Sequence, residues 1–435
     1  MPETPPHSEL RPILDFLWYG YVPSSAVAAE KFVHYRNLLD DDRVETFERG
    51  KAKSAKQLLC RIVAENTWQQ GMREIRLGVS AGYDSRGLLG AALEVFPAGA
   101  VTAYTFGQKG TVDFELARSY TKDVLPRHVM IDIVAQEWST EAALAQVASR
   151  PPGIALALGE LLGLRYGSAF KEILPLPSMN GFLGDAVTGK KLPPLVSGRW
   201  LDALDMFARS GRTFKGSFSI TPKGYDPTAA LPADCFPDAG RMLLDDQIQF
   251  PVRQEQRIRY SFDNPGNRRV QPYDDPRWVR SFLLLPVGER IGQSFYKRFL
   301  ARSFPKIFPD LADWRDGGPA AAAPAAAPAA PEAEPRGLAS ALRRLYRRVA
   351  PEPAAPTAPS KMHVEFDQVF HTNPSFRAFC REHLLDLDRR ALLPWLDLRA
   401  LLEEAEAERL TGFGRNFFGL ASLEVNLKAG RLVAP

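Results

Sequence analysis

Cysteine is scarce in this chain: three residues in 435, Cys60, Cys235 and Cys380, far apart and without a CxxC pair. That spacing excludes a disulfide framework and a thiolate zinc site, and it suits a reducing compartment. Each reads as a small buried apolar residue before it reads as a nucleophile. Long hydrophobic runs are missing as well. No stretch reaches the ~18–20 apolar residues of a membrane span. The opening "MPETPPHSEL" has neither a basic n-region nor an apolar h-region, so a cytoplasmic location is the expectation. Charge of one sign is also lacking: 55 Lys and Arg against 51 Asp and Glu leave +4, too mild to imply DNA as a partner. What is present, 45% hydrophobic and 24% charged residues, can bury a sizeable core in more than one folding unit.

One segment departs from that composition. Residues 317–336 read "GGPAAAAPAAAPAAPEAEPR", and "PEPAAPTAPS" follows at 351–360. Recurrent proline forbids a stable helix and alanine alone builds no core, so 311–361 is expected to be a flexible insertion. Between its arms, "GLASALRRLYRRVA" (337–350) has Leu338, Leu342, Leu345 and Val349 at helical spacing, flanked by Arg343, Arg344, Arg347 and Arg348. It reads either as a transient linker helix or as a basic amphipathic element for a partner protein, a membrane surface or RNA.

Chemistry first surfaces at "LGVSAGYDSRGLLGAAL" (77–93). The apolar run 75–79 suits a buried strand, and 86–96 continues at helical spacing. Runs 100–106 and 128–134 then read as strands, with 113–125 as the helix between them. Strands alternating with helices at this pitch imply βαβ units and a doubly wound parallel sheet, whose ligand end lies beyond the strand carboxyl ends. Residues 80–85 would sit there. Gly82 permits close approach of an anion, Ser80 and Ser85 supply hydroxyls, and the next helix adds its amino-terminal N–H groups. Asp84 would repel a bare phosphate, so it orients the loop or works with Mg²⁺. The plain alternative is an ordinary βα turn with Ser and Asp as helix caps. No GxGxxG occupies this turn. "GDAVTGKK" (184–191) approaches a P-loop, but Lys191 stands where a Mg²⁺-binding Ser or Thr belongs, and no clear strand runs into Gly184.

"VSAGYDSRGLL" resembles the pyrophosphate loop of the ATP-pyrophosphatase superfamily, Ser-Gly-Gly-x-Asp-Ser after the first strand, with Ala81 in place of the first Gly. Within that superfamily the chain resembles the asparagine synthetases. "AYTFGQKGTVDFELARSY" is similar to their second strand and acidic helix start, and His128 falls where they carry a His. "SMNGFLGDAVTGKKL" is similar to their Ser-Gly-x-Gly-x-Asp-Glu-x-x-Gly loop, with Asp185 at the acidic position and departures at Asn180, Leu183 and Ala186. "RRVQPYDDPRWVRSFLLLPVGERIGQSFYKRFL" is similar to an Arg-x-Pro-Phe-x-Asp segment followed by helices and a Lys, with Val270 and Tyr273 as departures. "GLASLEVNLKAG" (419–430) resembles the closing helix.

The resemblance implies an adenine-nucleotide α-hydrolase-like fold, ATP and Mg²⁺ as cofactors, and an acyl-adenylate that an amine converts to an amide. It assigns Ser80, Ala81, Gly82, Asp84, Ser85 and Gly184 to the phosphates, and Asp84 and Asp185 to the metal. Thr105, Phe106 and Gly107 would hold adenine by their backbone. Lys297 would serve near the α-phosphate, and Asp275 as an acidic catalytic residue; an incidental surface Lys and a helix cap are the respective plain alternatives.

Glutamine-using asparagine synthetases begin with a nucleophilic Cys, whereas residue 2 here is Pro and only 79 residues precede Ser80. The expected nitrogen source is therefore ammonia, an amine, or a separate ammonia-supplying subunit, and the expected acid is a small-molecule or peptide carboxylate. β-Lactam synthetases and lasso-peptide cyclases show that the fold can close an amide onto an amine already in the substrate. The expected organisation is a helical lead-in (1–60), an ATP-binding core (61–310), the insertion (311–361) and a helical carboxyl-terminal layer (362–435). Two other readings stand beside the amide ligase: a non-catalytic nucleotide- or partner-binding relative, and a tRNA-modifying ligase of the superfamily.

Overall fold

A computed structural model describes residues 9–159, 168–236, 242–262, 268–315 and 364–433. Most of the expected insertion, including 337–350, lies outside the described residues.

Five parallel strands form the sheet: Ile75–Gly78 (β1), Val101–Gly107 (β2), His128–Asp132 (β3), Ser178–Met179 (β4) and Arg269–Val270 (β5), in the order β3-β2-β1-β4-β5. β1 is central and buried, with Ile75 and Leu77 fully enclosed, as a strand covered on both faces requires. Its Leu77 lies between Ala103 of β2 and Met179 of β4. From β1 the chain builds outward through β2 to β3, then returns across β1 to add β4 and β5 on the other side. Such a reversal opens a crevice beyond the carboxyl ends of β1 and β4, where parallel sheets bind ligands.

The helices follow the expected alternation with one informative shift. The helix after β1 begins at Tyr83, not at residue 86, because Gly82 takes an extended conformation (φ −65°, ψ 147°) and releases the chain into its first turn. Asp84 is thereby a first-turn residue. Helix Ala52–Trp68 packs on both Tyr83–Val95 and Ser294–Ser303. Leu58, Leu59, Ile62 and Val63 bury in the same core as the sheet, so residue 60 lies inside a helix of that core. Gly90 lets Ser294–Ser303 come close: a Cβ there would lie 2.5 Å from the Phe304 ring.

A second core joins helix Arg11–Tyr19 to the carboxyl-terminal helices Phe366–Thr372, Pro374–Arg390, Leu398–Glu406 and Gly414–Lys428. The last of these is buried over nearly its whole circumference, including Asn416, Ser422, Glu424 and Asn426. Backbone answers part of these groups, with Asn426 Nδ2 donating to Leu156 O (3.1 Å) and Ser422 Oγ accepting from the Leu158 N–H (3.3 Å), while Glu424 pairs with the Arg390 guanidinium (2.8 Å). Phe417 and Phe418 are core residues. No described helix is long and apolar enough to cross a membrane.

His128 ties the first three strands together. Its Nε2 lies 2.8 Å from Thr105 Oγ1, which donates to Val79 O, and its Nδ1 lies 2.6 Å from Thr121 Oγ1. Burial, and secondarily the charge of Arg118, lower its pKa to about 4. The unfolded chain takes up that proton near pH 6.5, so this contribution to stability is complete above that value and is lost as pH falls toward 4. The apparent Tm is expected to drop by a few degrees between pH 7 and pH 5. His128→Gln should drop less over the same interval, and an equal drop in both proteins would refute the assignment.

Candidate active site

The crevice between β1 and β4 is built from two turns. In the first, three successive amides are held by side chains of the chain itself. Ser80 N–H donates to Ser85 Oγ (3.0 Å), Ala81 N–H to Asp113 Oδ1 (2.9 Å), and Gly82 N–H to Ser80 Oγ (3.1 Å). The two serine hydroxyls are 3.1 Å apart. This network sets the loop in one conformation and faces it with the amino-terminal end of helix Tyr83–Val95, where a negative charge is favoured.

The second turn follows β4 and enters the short helix Gly184–Val187. It comes against the first closely: a Cβ on Gly184 would lie 2.7 Å from Tyr273 Cδ2 and 2.8 Å from Asp84 Cγ. On the other side, a Cβ on Gly87 would lie 2.7 Å from the Tyr273 hydroxyl and 3.0 Å from that of Tyr296. Gly184 therefore sets the gap between the turns, and Gly87 the approach of the first helix to the two tyrosines. Leu183, at a glycine position of the loop pattern, has φ +70°, a left-handed conformation costly for a branched side chain.

This approach brings two half-buried carboxyl groups together. Asp84 Oδ1 is buried without a hydrogen-bond partner. Burial first, and the negative charge of Asp185 second, push the Asp84 carboxyl well above the usual range, against the pull of Lys190 and the Tyr296 hydroxyl. Burial also acts to raise Asp185, but the Asp84 carboxyl, Lys190 and Lys191 outweigh it and hold Asp185 low. Lys190 Nζ lies 2.9 Å from Asp185 Oδ1, and Lys191 Nζ 3.8 Å from Oδ2. Two facing carboxyl groups, one with an orphaned buried oxygen, are all-oxygen donors that fit a hard divalent cation such as Mg²⁺.

The remaining expected residues distribute unevenly. Lys297 reaches the mouth of the crevice, its Nζ 5.9 Å from the Tyr83 ring centroid and 4.9 Å from that of Trp314, and burial lowers its pKa. Thr105 spends its hydroxyl on Val79 O, fastening β2 to the start of the loop. Phe106 and Gly107 end β2 opposite Ile131 and Asp132. Asp275 is engaged elsewhere: it caps helix Pro276–Leu283 through the Arg277 N–H (2.9 Å) and pairs with the Arg277 guanidinium (2.9 Å). That geometry is the helix cap weighed against a catalytic role.

Tyr273 at the pattern's Phe position has a purpose for its hydroxyl, which donates to Asp84 O (3.1 Å) and meets the Tyr296 hydroxyl (2.8 Å). Arg86, one turn from Ser85, is buried, forms a two-bonded pair with Asp310 (2.8 and 3.0 Å) and lies 4.1 Å from the Tyr120 ring centroid. It anchors the helix that presents Asp84. Asp113, Lys190, Lys191, Tyr296 and Arg86 escaped sequence reasoning. The acidic helix start was the only local signal for Asp113, and "GKK" looked like a failed P-loop. In the structure Lys190 follows the short helix Gly184–Val187 instead of opening one, so it does not occupy a P-loop lysine's place.

No protein-family model matches the chain, and no curated protein matches it.

Gly184→Ala is expected to force the two turns apart, costing ~1–3 kcal/mol and lowering the Tm. Gly181→Ala is the control, because its Cβ would meet Asp84 Cβ at an ordinary 3.5 Å. Equal Tm values for the two variants would show that the close approach does not constrain the site.

Proposed function

We propose that the chain is an ATP-dependent amide ligase of the asparagine-synthetase type, forming an acyl-adenylate with release of pyrophosphate and transferring the acyl group to ammonia or an amine. The observation that carries the reading is the pair Asp84 and Asp185, half-buried and facing each other beside a Ser-rich loop and two lysines at the crevice between β1 and β4. A βα turn that served only as a connection would gain nothing from two apposed carboxyl groups, whose burial is costly.

In this reading the two aspartates hold Mg²⁺, which when bound neutralises phosphate oxygens as a Lewis acid. The chain's own groups do the rest. Ser80 and Ser85 offer hydroxyls to phosphate oxygens, and the helix amino terminus at Tyr83 favours their charge. The backbone at Thr105, Phe106 and Gly107 is the adenine edge. Lys297, partly desolvated and without an anionic partner among the described residues, approaches the reacting phosphate from the Tyr83 side. Asp275, the cap of helix Pro276–Leu283, would serve in this reading by holding that helix in place.

One observation favours a second reading, a non-catalytic nucleotide- or partner-binding chain: the Ser80, Ala81 and Gly82 amides already have acceptors within the loop. A phosphate that used them would have to displace the Asp113 carboxylate and the serine hydroxyls. The tRNA-modifying reading draws its support from basic residues outside the described segments.

Pyrophosphate exchange into ATP separates the first two. With Mg²⁺ and pools of carboxylic acids, exchange is expected with one pool and to fall at least ~10²-fold in Asp84→Asn. ATP binding without exchange in any pool would favour the non-catalytic reading, and absence of ATP binding would overturn the ligase.

A further inference from the structure

We infer that Lys190 and Lys191 form a pyrophosphate-binding arm of this site, a role that rests on the adenylation reading above. Both ammonium groups address one carboxylate, at 2.9 and 3.8 Å from the two oxygens of Asp185. Two ammonium groups thus share a single carboxylate as their ion-pair partner. The next residue, Ala186, is buried and adds no second acid.

Stability does not account for the arrangement. An ion pair with a half-exposed lysine contributes little, and Lys190 keeps nearly half of its side chain in solvent. The second lysine adds a like charge next to Lys190 and reaches the same carboxylate only at 3.8 Å, beyond hydrogen-bond distance. Adjacent like charges with one partner between them are the electrostatics of a site for a multiply charged anion.

The backbone holds the arm in place. Gly189 has φ +92°, and a Cβ there would lie 2.2 Å from Arg290 O, so only glycine fits the turn. Arg290 is itself fixed by a buried two-bonded pair with Asp246 (2.6 and 3.0 Å), and Gln293 Nε2 donates to Thr188 Oγ1 (2.6 Å). The Lys190 N–H returns to Asp185 O (2.9 Å), closing the turn. The lysines thus project from a rigid support beside the orphaned Asp84 Oδ1, and the charge of Lys190 is felt at Tyr83, whose ring also faces Lys297.

This placement suits the departing group. As a carboxylate oxygen bonds to the α-phosphorus, the bond from that phosphorus to the α,β-bridging oxygen breaks and its electron pair leaves with pyrophosphate. Negative charge therefore builds on the β- and γ-phosphates, and ammonium groups serve there as point-charge ligands.

The test is calorimetry on the full chain with inorganic pyrophosphate, ATP and AMP, each with Mg²⁺, for wild type, Lys190→Met, Lys191→Met, the double variant and Lys190→Arg, with Tm values confirming folding. The arm predicts that pyrophosphate Kd rises about tenfold or more for each lysine removed. AMP Kd should move less than about twofold, and Lys190→Arg should restore part of the loss, because a cation at that point keeps the charge-assisted contact. Wild-type affinity for pyrophosphate in the double variant would overturn the arm while leaving the ligase reading intact. Lysine-dependent pyrophosphate binding in a protein that binds neither ATP nor AMP would support the arm and overturn the ligase reading. A wild type that does not bind pyrophosphate overturns the arm.

Discussion

The apposition of Asp84 and Asp185 is the constraint to which the rest of the site answers. Two facing, half-buried carboxyl groups repel and desolvate each other, and the chain meets that cost with Lys190 and Lys191 on one oxygen pair and with the Tyr273 and Tyr296 hydroxyls on the other flank. Bringing the groups together requires two turns from distant parts of the chain to touch, hence Gly184 where any side chain would collide. The aromatic wall behind them, with Tyr273, Trp278, Phe282 and Tyr296 in mutual ring contact, prevents the turns from relaxing apart.

The first turn is organised by the chain's own side chains. Its amides, hydroxyls and the Asp113 carboxylate form a closed set, and Arg86 clamps the following helix to Asp310. Preorganisation of this kind lowers the entropy of binding a charged ligand, and it requires that the ligand exchange for contacts already made. The two effects pull in opposite directions, which is why the same loop supports both a catalytic and a purely binding interpretation.

The legible parts of the protein were those encoded locally. Strand β1, its Ser-rich turn and the next helix could be read because apolar residues stop and resume around Gly82 within a dozen positions. The alternation through β3 could be read for the same reason. Strands β4 and β5 could not, since each has only two residues and is defined by neighbours rather than by a hydrophobic run. Asp275 is an acid in a suggestive motif that also caps helix Pro276–Leu283, the plain alternative its place at a helix start allowed.

By itself, then, the sequence determined a parallel α/β sheet with a phosphate-suited turn after its first strand, because strand and helix periodicities and a glycine-containing turn are short-range properties. The tertiary structure alone decided that Asp113 would cap Ala81, that Tyr273 would support Asp84 through its hydroxyl, and that Lys190 and Lys191 would crowd one carboxylate. Those relations join residues from about 30 to nearly 190 positions apart or depend on a turn fixed by Arg290. Electrostatics and close packing act through space, and sequence separation carries no record of either.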